Sequence, residues 1–354
     1  MRALISKLTS LHGVSGSEQE VVRYLAEALG DVSDSCEVDA WGNLVATKRG
    51  TVEDGFRLLL GAHSDEIGFY VKSIDERGFL RVEPAGGVPM ALMPGRPVKV
   101  GDLDGVIGVG AWHLGKQLAG TPLYVDVGAD SRQEARELGV RVGAPVTLVS
   151  EARPLGKHRL SAKAMDNRVA CAVLIGVLEA LRDTETAATL VGVATVQEEV
   201  GLRGAHMVAG RIPVSAAISV DIMVAGDTPD CDGVNDSTVR LGQGPVITLF
   251  DQIEEAFAAS LIGVIGHPRL NGRLFEVAEA SGIPVQPNVL VGGGADAAAF
   301  QLARGGVPST MVSVPTRYSH SMVETLDLRD VEHTVALLVA FTRSLDRGLS
   351  LEFL

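Results

Sequence analysis

Val191-Gly-Val-Ala-Thr-Val-Gln-Glu-Glu-Val-Gly-Leu-Arg-Gly-Ala205 is an apolar run that stops at two adjacent carboxylates, Glu198 and Glu199. Its first half is rich in Val and Thr and does not alternate with polar residues, the pattern of a strand covered on both faces in a parallel sheet. Acids at the carboxyl end of such a strand stand where open α/β sheets bind ligands. Consecutive side chains leaving a strand point in different directions, so one acid can bind a metal while the other handles a proton. As a bare dipeptide the pair reads as a solvated turn, because most charges lie on protein surfaces. The rest of the chain decides between the two readings.

The same grammar recurs. Phe56-Arg-Leu-Leu-Leu-Gly-Ala62 is a buried-strand candidate ending at His63-Ser-Asp-Glu66, and Ser215-Ala-Ala-Ile-Ser-Val220 ends at Asp221. Ser309-Thr-Met-Val-Ser-Val314 runs on through Pro315-Thr-Arg-Tyr-Ser to His320. Asp166 opens the long apolar helix Asn167 to Arg182, where a carboxylate is also expected as an N-cap. Parallel strands bring their carboxyl ends to one sheet edge, so His63, Asp166, Glu199, Asp221 and His320 can converge. Two imidazoles and three carboxylates suit Zn²⁺, Co²⁺ or Mn²⁺, with one Asp able to bridge two ions. Asp65 is placed to accept the second N–H of a ligating His63. If Glu199 holds metal, Glu198 is free to take a proton from metal-acidified water and return it to a leaving amine.

Around these ends the chain divides by texture. Ser17-Glu-Gln-Glu20 has the form of a capping box before a helix closed by Gly30, and Trp41-Gly-Asn43 reads as a turn before the strand Leu44 to Thr47. From about Tyr70 to Leu155, short β-type runs such as Pro97-Val-Lys-Val100 and Gly105-Val-Ile-Gly-Val109 alternate with glycines and prolines, interrupted by one helix capped by Ser131 with Glu134. The apolar loop Ala85-Gly-Gly-Val-Pro-Met-Ala-Leu-Met-Pro-Gly95 is a candidate contact with another subunit or domain. Helices at Leu274 to Ala280 and Leu328 to Leu345 and a strand at Val285 to Leu290 complete the pattern. The expectation is an α/β fold, a mixed, largely parallel sheet flanked by helices. Residues 1–70 and 156–354 form its catalytic domain, and 71–155 an inserted β-rich domain.

The bulk composition narrows the partners. A chain of 354 residues, 46% hydrophobic and 21% charged, has ample material for two cores. A formal charge of −13 argues against nucleic acid or an anionic membrane, since phosphate binding needs clustered Lys and Arg. Cys36, Cys171 and Cys231 are scattered and odd in number, which indicates neither a disulfide framework nor a thiolate zinc site and points to a cytoplasmic setting. Met1-Arg-Ala-Leu-Ile-Ser-Lys-Leu8 reads as the first turns of a helix, and no stretch reaches the roughly 18 apolar residues of a membrane span.

Ala62-His-Ser-Asp-Glu-Ile-Gly-Phe69, Ala162-Lys-Ala-Met-Asp-Asn-Arg168, Gln197-Glu-Glu-Val-Gly-Leu-Arg-Gly-Ala205, Asp227-Thr-Pro229, Gly293-Gly-Ala-Asp-Ala297 and Tyr318-Ser-His320 resemble, in order, the signature blocks of the tetrahedral (TET) dimetal aminopeptidases, the glutamyl-aminopeptidase-like family. Gly13-Val-Ser-Gly-Ser-Glu18 and Gly42-Asn43 match as well, so the resemblance covers nearly the whole chain. It implies a zinc-exopeptidase-like fold with a PDZ-like dimerisation domain as the insertion. It also implies a tetrahedral dodecamer built from dimers, and removal of N-terminal residues from short peptides. Two divalent ions, Zn²⁺ or Co²⁺, are implied: His63, Asp166 and Asp221 would hold one, Asp166, Glu199 and His320 the other, with Glu198 as general base. Rival functions are a dimetal hydrolase of N-acyl amino acids or other small amides, and a self-assembling scaffold that has lost the chemistry. Two departures stand out. The family's Gly-Gly-Thr-Asp-Ala reads Ala295 at its third position, losing a hydroxyl, and residues 111–119 do not align. Asp296 reads as a helix N-cap beside the site. Arg168, Arg203, Arg317 and Tyr318 flank the ligands as candidate substrate contacts. The glycines at 292–294 lack the Lys-Ser/Thr or GxGxxG context of a phosphate cradle.

Overall fold

The computed structural model describes residues 1–110, 122–229, 237–252, 263–291, 293–345 and 349–353. Cys231, Gly292 and the unaligned 111–119 segment lie outside the described residues. In chain order the strands are β1 (Ser35–Val38), β2 (Leu44–Lys48), β3 (Arg57–His63), β4 (Gly68–Ile74), β5 (Leu80–Ala85), β6 (Pro97–Val100), β7 (Leu103–Val109), β8 (Leu123–Asp126), β9 (Pro145–Leu148), β10 (Arg153–Leu155), β11 (Arg159–Ala162), β12 (Thr189–Thr195), β13 (Ala216–Val224), β14 (Val246–Gln252), β15 (Val264–Ile265), β16 (Gln286–Val291), β17 (Ser309–Arg317) and β18 (Glu324–Asp327). The helices are α1 (Arg2–Ser10), α2 (Gln19–Gly30), α3 (Arg132–Glu137), α4 (Met165–Leu181), α5 (Arg203–Arg211), α6 (Pro268–Ala280), α7 (Ala297–Leu302) and α8 (Leu328–Arg343).

One 12-stranded sheet has the order β1-β2-β12-β3-β13-β17-β18-β11-β10, with β14 pairing with β15, β16 and β17 off that path. Strands β12, β3, β13 and β17 are mutually parallel, whereas β1, β2, β18, β11 and β10 join antiparallel. The sheet is therefore mixed, with a parallel centre and a further parallel pair, β14 with β16, off the main path. Among the described residues its antiparallel pairs outnumber the parallel ones, against the largely parallel sheet expected. The reason lies in burial. Leu58, Leu60 and Ala62 of β3 enter the core formed with α1, α2, α4, α6 and α8, while Leu59 enters a second core formed with α5 and α7. A strand buried on both faces needs a continuous apolar run. Gly61 fits the same logic, because a Cβ there would lie 2.6 Å from the Phe300 ring of α7.

Parallel register aligns the strand ends. Thr195 of β12 is level with His63 of β3, and Asp221 of β13 with Ser313 of β17. Strand β13 continues to Val224, so Asp221 stands inside the strand rather than at its end. Between β3 and the return to the main sheet, β4-β5-β8-β7-β6-β9 close into a six-stranded barrel around Phe69, Leu80, Val98, Ile107, Val125 and Val146. Ser131 caps α3 by accepting the Glu134 N–H at 3.2 Å, and the Glu134 carboxylate accepts the Asp130 N–H at 2.8 Å.

The expected capping box at Ser17 does not form. Helix α2 starts at Gln19 behind Glu18, Ser17 shares a hydrogen bond with the Tyr70 hydroxyl at 3.1 Å, and Glu20 accepts the His12 N–H at 3.0 Å. Glu18 instead turns inward, accepting the N–H groups of Gly16 at 2.7 Å and Gln197 at 3.1 Å. The tertiary bond to the Gln197 loop has displaced a purely local motif. No described helix is long and apolar enough to cross a membrane.

Candidate active site

The carboxyl edge of the four parallel strands gathers His63, Asp166, Glu198, Glu199, Asp221 and His320 around a cleft of about 670 Å³. His63 ends β3, and the two glutamates follow β12 in a turn held by Asp65. Asp65 Oδ1 accepts the Glu198 N–H at 3.0 Å, its Oδ2 accepts the Glu199 N–H at 3.2 Å, and the same Oδ2 receives the Ser15 hydroxyl at 2.6 Å. Asp65 Oδ1 also lies 3.4 Å from His63 Nδ1 without the alignment of a hydrogen bond. Asp65 thus braces the backbone of both glutamates besides lying against His63, more than the single histidine contact read from the His-Ser-Asp spacing.

Asp166 is not a helix cap. Ala164 occupies the N-cap position of α4 in a left-handed conformation, and Asp166 and Asn167 have non-helical backbone angles. This break turns the Asp166 carboxylate into the cleft, while Asn167 Nδ2 donates to Val220 O at 2.9 Å and ties the break to β13. Asp166 Oδ1 lies 3.1 Å from His63 Nε2, and its Oδ2 lies 3.3 Å from His320 Nε2. Each carboxylate oxygen therefore faces a different imidazole. His320 Nε2 is also 3.5 Å from Glu199 Oε1, and His63 Nε2 is 3.8 Å from Glu198 Oε2 and 4.0 Å from Asp221 Oδ1.

These separations fit a shared cation. Ligand bonds of about 2.0–2.1 Å around a tetrahedral ion place neighbouring donor atoms roughly 3.3–3.4 Å apart. His63–Asp166–Glu199 and His63–Glu198–Asp221 each offer donor atoms within 4.8 Å of one another. Among the described residues no Lys or Arg pairs with these four acids, so the cluster carries more carboxylates than imidazoles. Burial raises the Glu198 and Asp221 carboxyls well above the usual range and takes Glu199 to about 8, neighbouring acids adding to the effect. Burial alone would lower both histidines, but the surrounding carboxylates outweigh it, raising His63 and taking His320 to about 10. Asp166 is held below the usual range, because hydrogen bonds from His320 and His63 outweigh its burial. A site that disfavours its own carboxylate charges in this way has the donor set for divalent ions.

Glu324 is a site residue that the sequence reading missed. It is buried and accepts the Asp166 N–H at 3.0 Å and the His320 N–H at 2.7 Å, so it spans two ligand candidates from behind. Its only sequence signal is a glutamate four residues after His320, which is indistinguishable from a surface acid. Asp296 corrects the N-cap expectation: it makes no side-chain cap bond to α7, and its Oδ2 instead accepts the Thr195 hydroxyl. Burial takes its carboxyl to about 6. The departing Ala295 is fully buried in a small apolar cluster with Met223, Leu241 and Met311, where a methyl group fits.

Two of the flanking cations, Arg168 and Arg317, are engaged elsewhere. Arg168 is fully buried, 3.2 Å from Glu66 Oε1, and donates to Leu8 O and Leu11 O. Arg317 Nε donates to Asp227 Oδ1 at 2.6 Å. Arg203 and Tyr318 stay exposed.

The sequence model of a family described as M42 glutamyl aminopeptidase matches residues 42–337. The chain is 33% identical to the lysyl aminopeptidase of Pyrococcus furiosus, over 97% of this chain and 96% of that one. Among solved structures it is similar to aminopeptidase APDkam598 from the archaeon Desulfurococcus kamchatkensis, with a TM-score of 0.89, 37% identity and coverage of 97% and 94%. It is also similar to the Pyrococcus horikoshii TET1 peptidase, which can assemble into a tetrahedron or a large octahedral shell, with a TM-score of 0.85, 34% identity and coverage of 97% and 99%.

Proposed function

The chain belongs to the M42 glutamyl aminopeptidase family and is a peptide hydrolase, and from that premise we propose that it removes N-terminal residues from short peptides with two divalent cations, Zn²⁺ or Co²⁺, at the cleft. The observation that carries the reading is Asp166, whose two oxygens face His63 at 3.1 Å and His320 at 3.3 Å. His63, Asp166 and Asp221 would hold one ion, and Asp166, Glu199 and His320 the other. Bound there, the ions would acidify water and polarise the scissile carbonyl.

The remaining chemistry belongs to the chain. Glu198 is buried, and its carboxyl is raised by burial, so it can accept a proton from the attacking water and return it to the departing amine. Asp65 orients the turn that presents it. The acid-rich cleft favours the positively charged amine of a free N-terminus over a blocked one. We read the six-stranded barrel as the PDZ-like dimerisation domain, with domain limits near 1–70, 71–155 and 156–354. The chain would then be a homo-oligomer, a tetrahedral dodecamer by analogy with the Pyrococcus horikoshii peptidase. The free thiols Cys36 and Cys171 are in keeping with a cytoplasmic setting.

Glu198→Gln is expected to lower turnover by about 10²–10⁴-fold while leaving metal content intact. His63→Ala or Asp166→Ala is expected to lose metal, read by elemental analysis. Near-normal turnover in Glu198→Gln sinks the general-base role, and a preference for N-acylated over free amino-terminal substrates sinks the aminopeptidase reading.

A further inference from the structure

His320 is held in an unusual way. Its backbone adopts a left-handed φ of 58°, a conformation that non-glycine residues rarely hold without support. Glu324 supplies one support through the His320 N–H. Two others come from the barrel. Gly87, in the loop after β5, places its carbonyl oxygen 2.9 Å from His320 Nδ1. A carbonyl can only accept, so Nδ1 keeps its proton, and Nε2 is the ring atom that can give its lone pair to a cation held between Asp166 and Glu199. Met322, two residues past His320, buries its side chain in the barrel core with Phe69, Leu80 and Met93.

The loop is fitted closely to this task. A Cβ at Gly87 would lie 2.9 Å from His320 Nδ1, and one at Gly86, whose φ is +82°, would lie 3.1 Å from the Glu199 Cβ. The paired glycines let the loop backbone lie directly on both site residues. Beyond the contact, Val88 packs against the barrel core and Met93 sits inside it.

We propose that the inserted barrel is a positioning element of the metal site, in which the Gly87 carbonyl fixes the tautomer and ring orientation of His320 and Met322 pins the turn that carries it. This rests on His320 being a metal ligand. Partners that orient a ligating histidine typically carry 10–100-fold in metal affinity. The barrel accordingly acts on the Asp166–Glu199–His320 ion and leaves the His63–Asp166–Asp221 ion alone.

The test uses the full-length protein, titrated with Co²⁺ and followed by equilibrium dialysis and visible absorption, with thermal unfolding as the check on folding. Gly87→Ala is expected to weaken one of two bound ions by about 10–100-fold and to change its absorption band, leaving the other within about twofold. Gly87 has no positive φ, so alanine acts there through the ring contact. Met322→Ala is expected to weaken the same ion, and Met322→Leu to restore it. Met322 lies outside the cleft lining, which keeps the question decidable if Gly87→Ala fails to fold. Wild-type affinity for both ions in Gly87→Ala and Met322→Ala, alongside loss of one ion in His320→Ala, overturns the positioning role alone. Retention of both ions in His320→Ala overturns the ligand reading beneath it.

Discussion

The Asp65 carboxylate receives the backbone N–H of Glu198 at 3.0 Å, so the turn bearing the proposed general base hangs on a residue 133 positions earlier in the chain. The acid is fully buried and its pKa is lowered, since the adjacent His63 imidazole and the hydrogen bonds from Ser15 and the Glu198 N–H outweigh its burial. Asp65 thereby couples the end of β3 to the end of β12.

Asp65→Asn replaces one acceptor oxygen with a donor that opposes the N–H it must receive. Turnover is expected to fall by about 10–100-fold, with a smaller change in KM and weakened metal binding. Steady-state kinetics beside elemental analysis checks this, and unchanged kcat would show that the turn holds itself.

Arg168, fully buried, and Lys163, 2% exposed, converge on Glu66. Removing Arg168 leaves Glu66 to Lys163 but takes the charge-assisted hydrogen bonds to Glu66, Leu8 O and Leu11 O out of a buried site. Arg168→Met is expected to cost about 3–5 kcal/mol of stability, read from the urea midpoint. A loss below about 1 kcal/mol would mean that Lys163 alone satisfies Glu66.

Glu18 is 4% exposed, and burial pushes its carboxyl from 4.5 up to about 7 against the two backbone N–H groups it accepts. Its pKa is higher folded than unfolded, so between these values the folded state binds the extra proton and the group's contribution to stability falls as pH rises. Glu18→Gln keeps an acceptor oxygen and removes the charge. The variant is expected to match the parent below the unfolded pKa and to be more stable by on the order of 2 kcal/mol at pH values above the folded one. Melting curves across that window decide it: a difference that does not depend on pH contradicts the shift.

Much of the fold could be read from local pattern. The apolar runs ending at His63 and near Thr195, the strand through Asp221 and the helix after Asn167 appear as expected, because a both-face-buried strand has no choice but to be apolar throughout. The misses share one cause. Ser17-x-x-Glu20 and Asp166 look like caps because capping is a local rule, yet Glu18 is drawn to Gln197 and Asp166 to two histidines by contacts far away in sequence. Arg168 looked like a substrate contact and is a core ion; Glu324 looked like a surface acid and lies behind the site.

The sequence by itself determined the chemistry of the parts: which strands are buried, which residues end them, and a donor set of imidazoles and carboxylates suited to divalent ions. Tertiary structure alone decided their arrangement. It aimed one oxygen of Asp166 at each histidine, hung the Glu198 turn on Asp65, and brought the Gly87 carbonyl of the barrel onto His320. The physical reason is that burial leaves a periodic mark on the residue's own neighbours, whereas a hydrogen bond between distant segments leaves none on either.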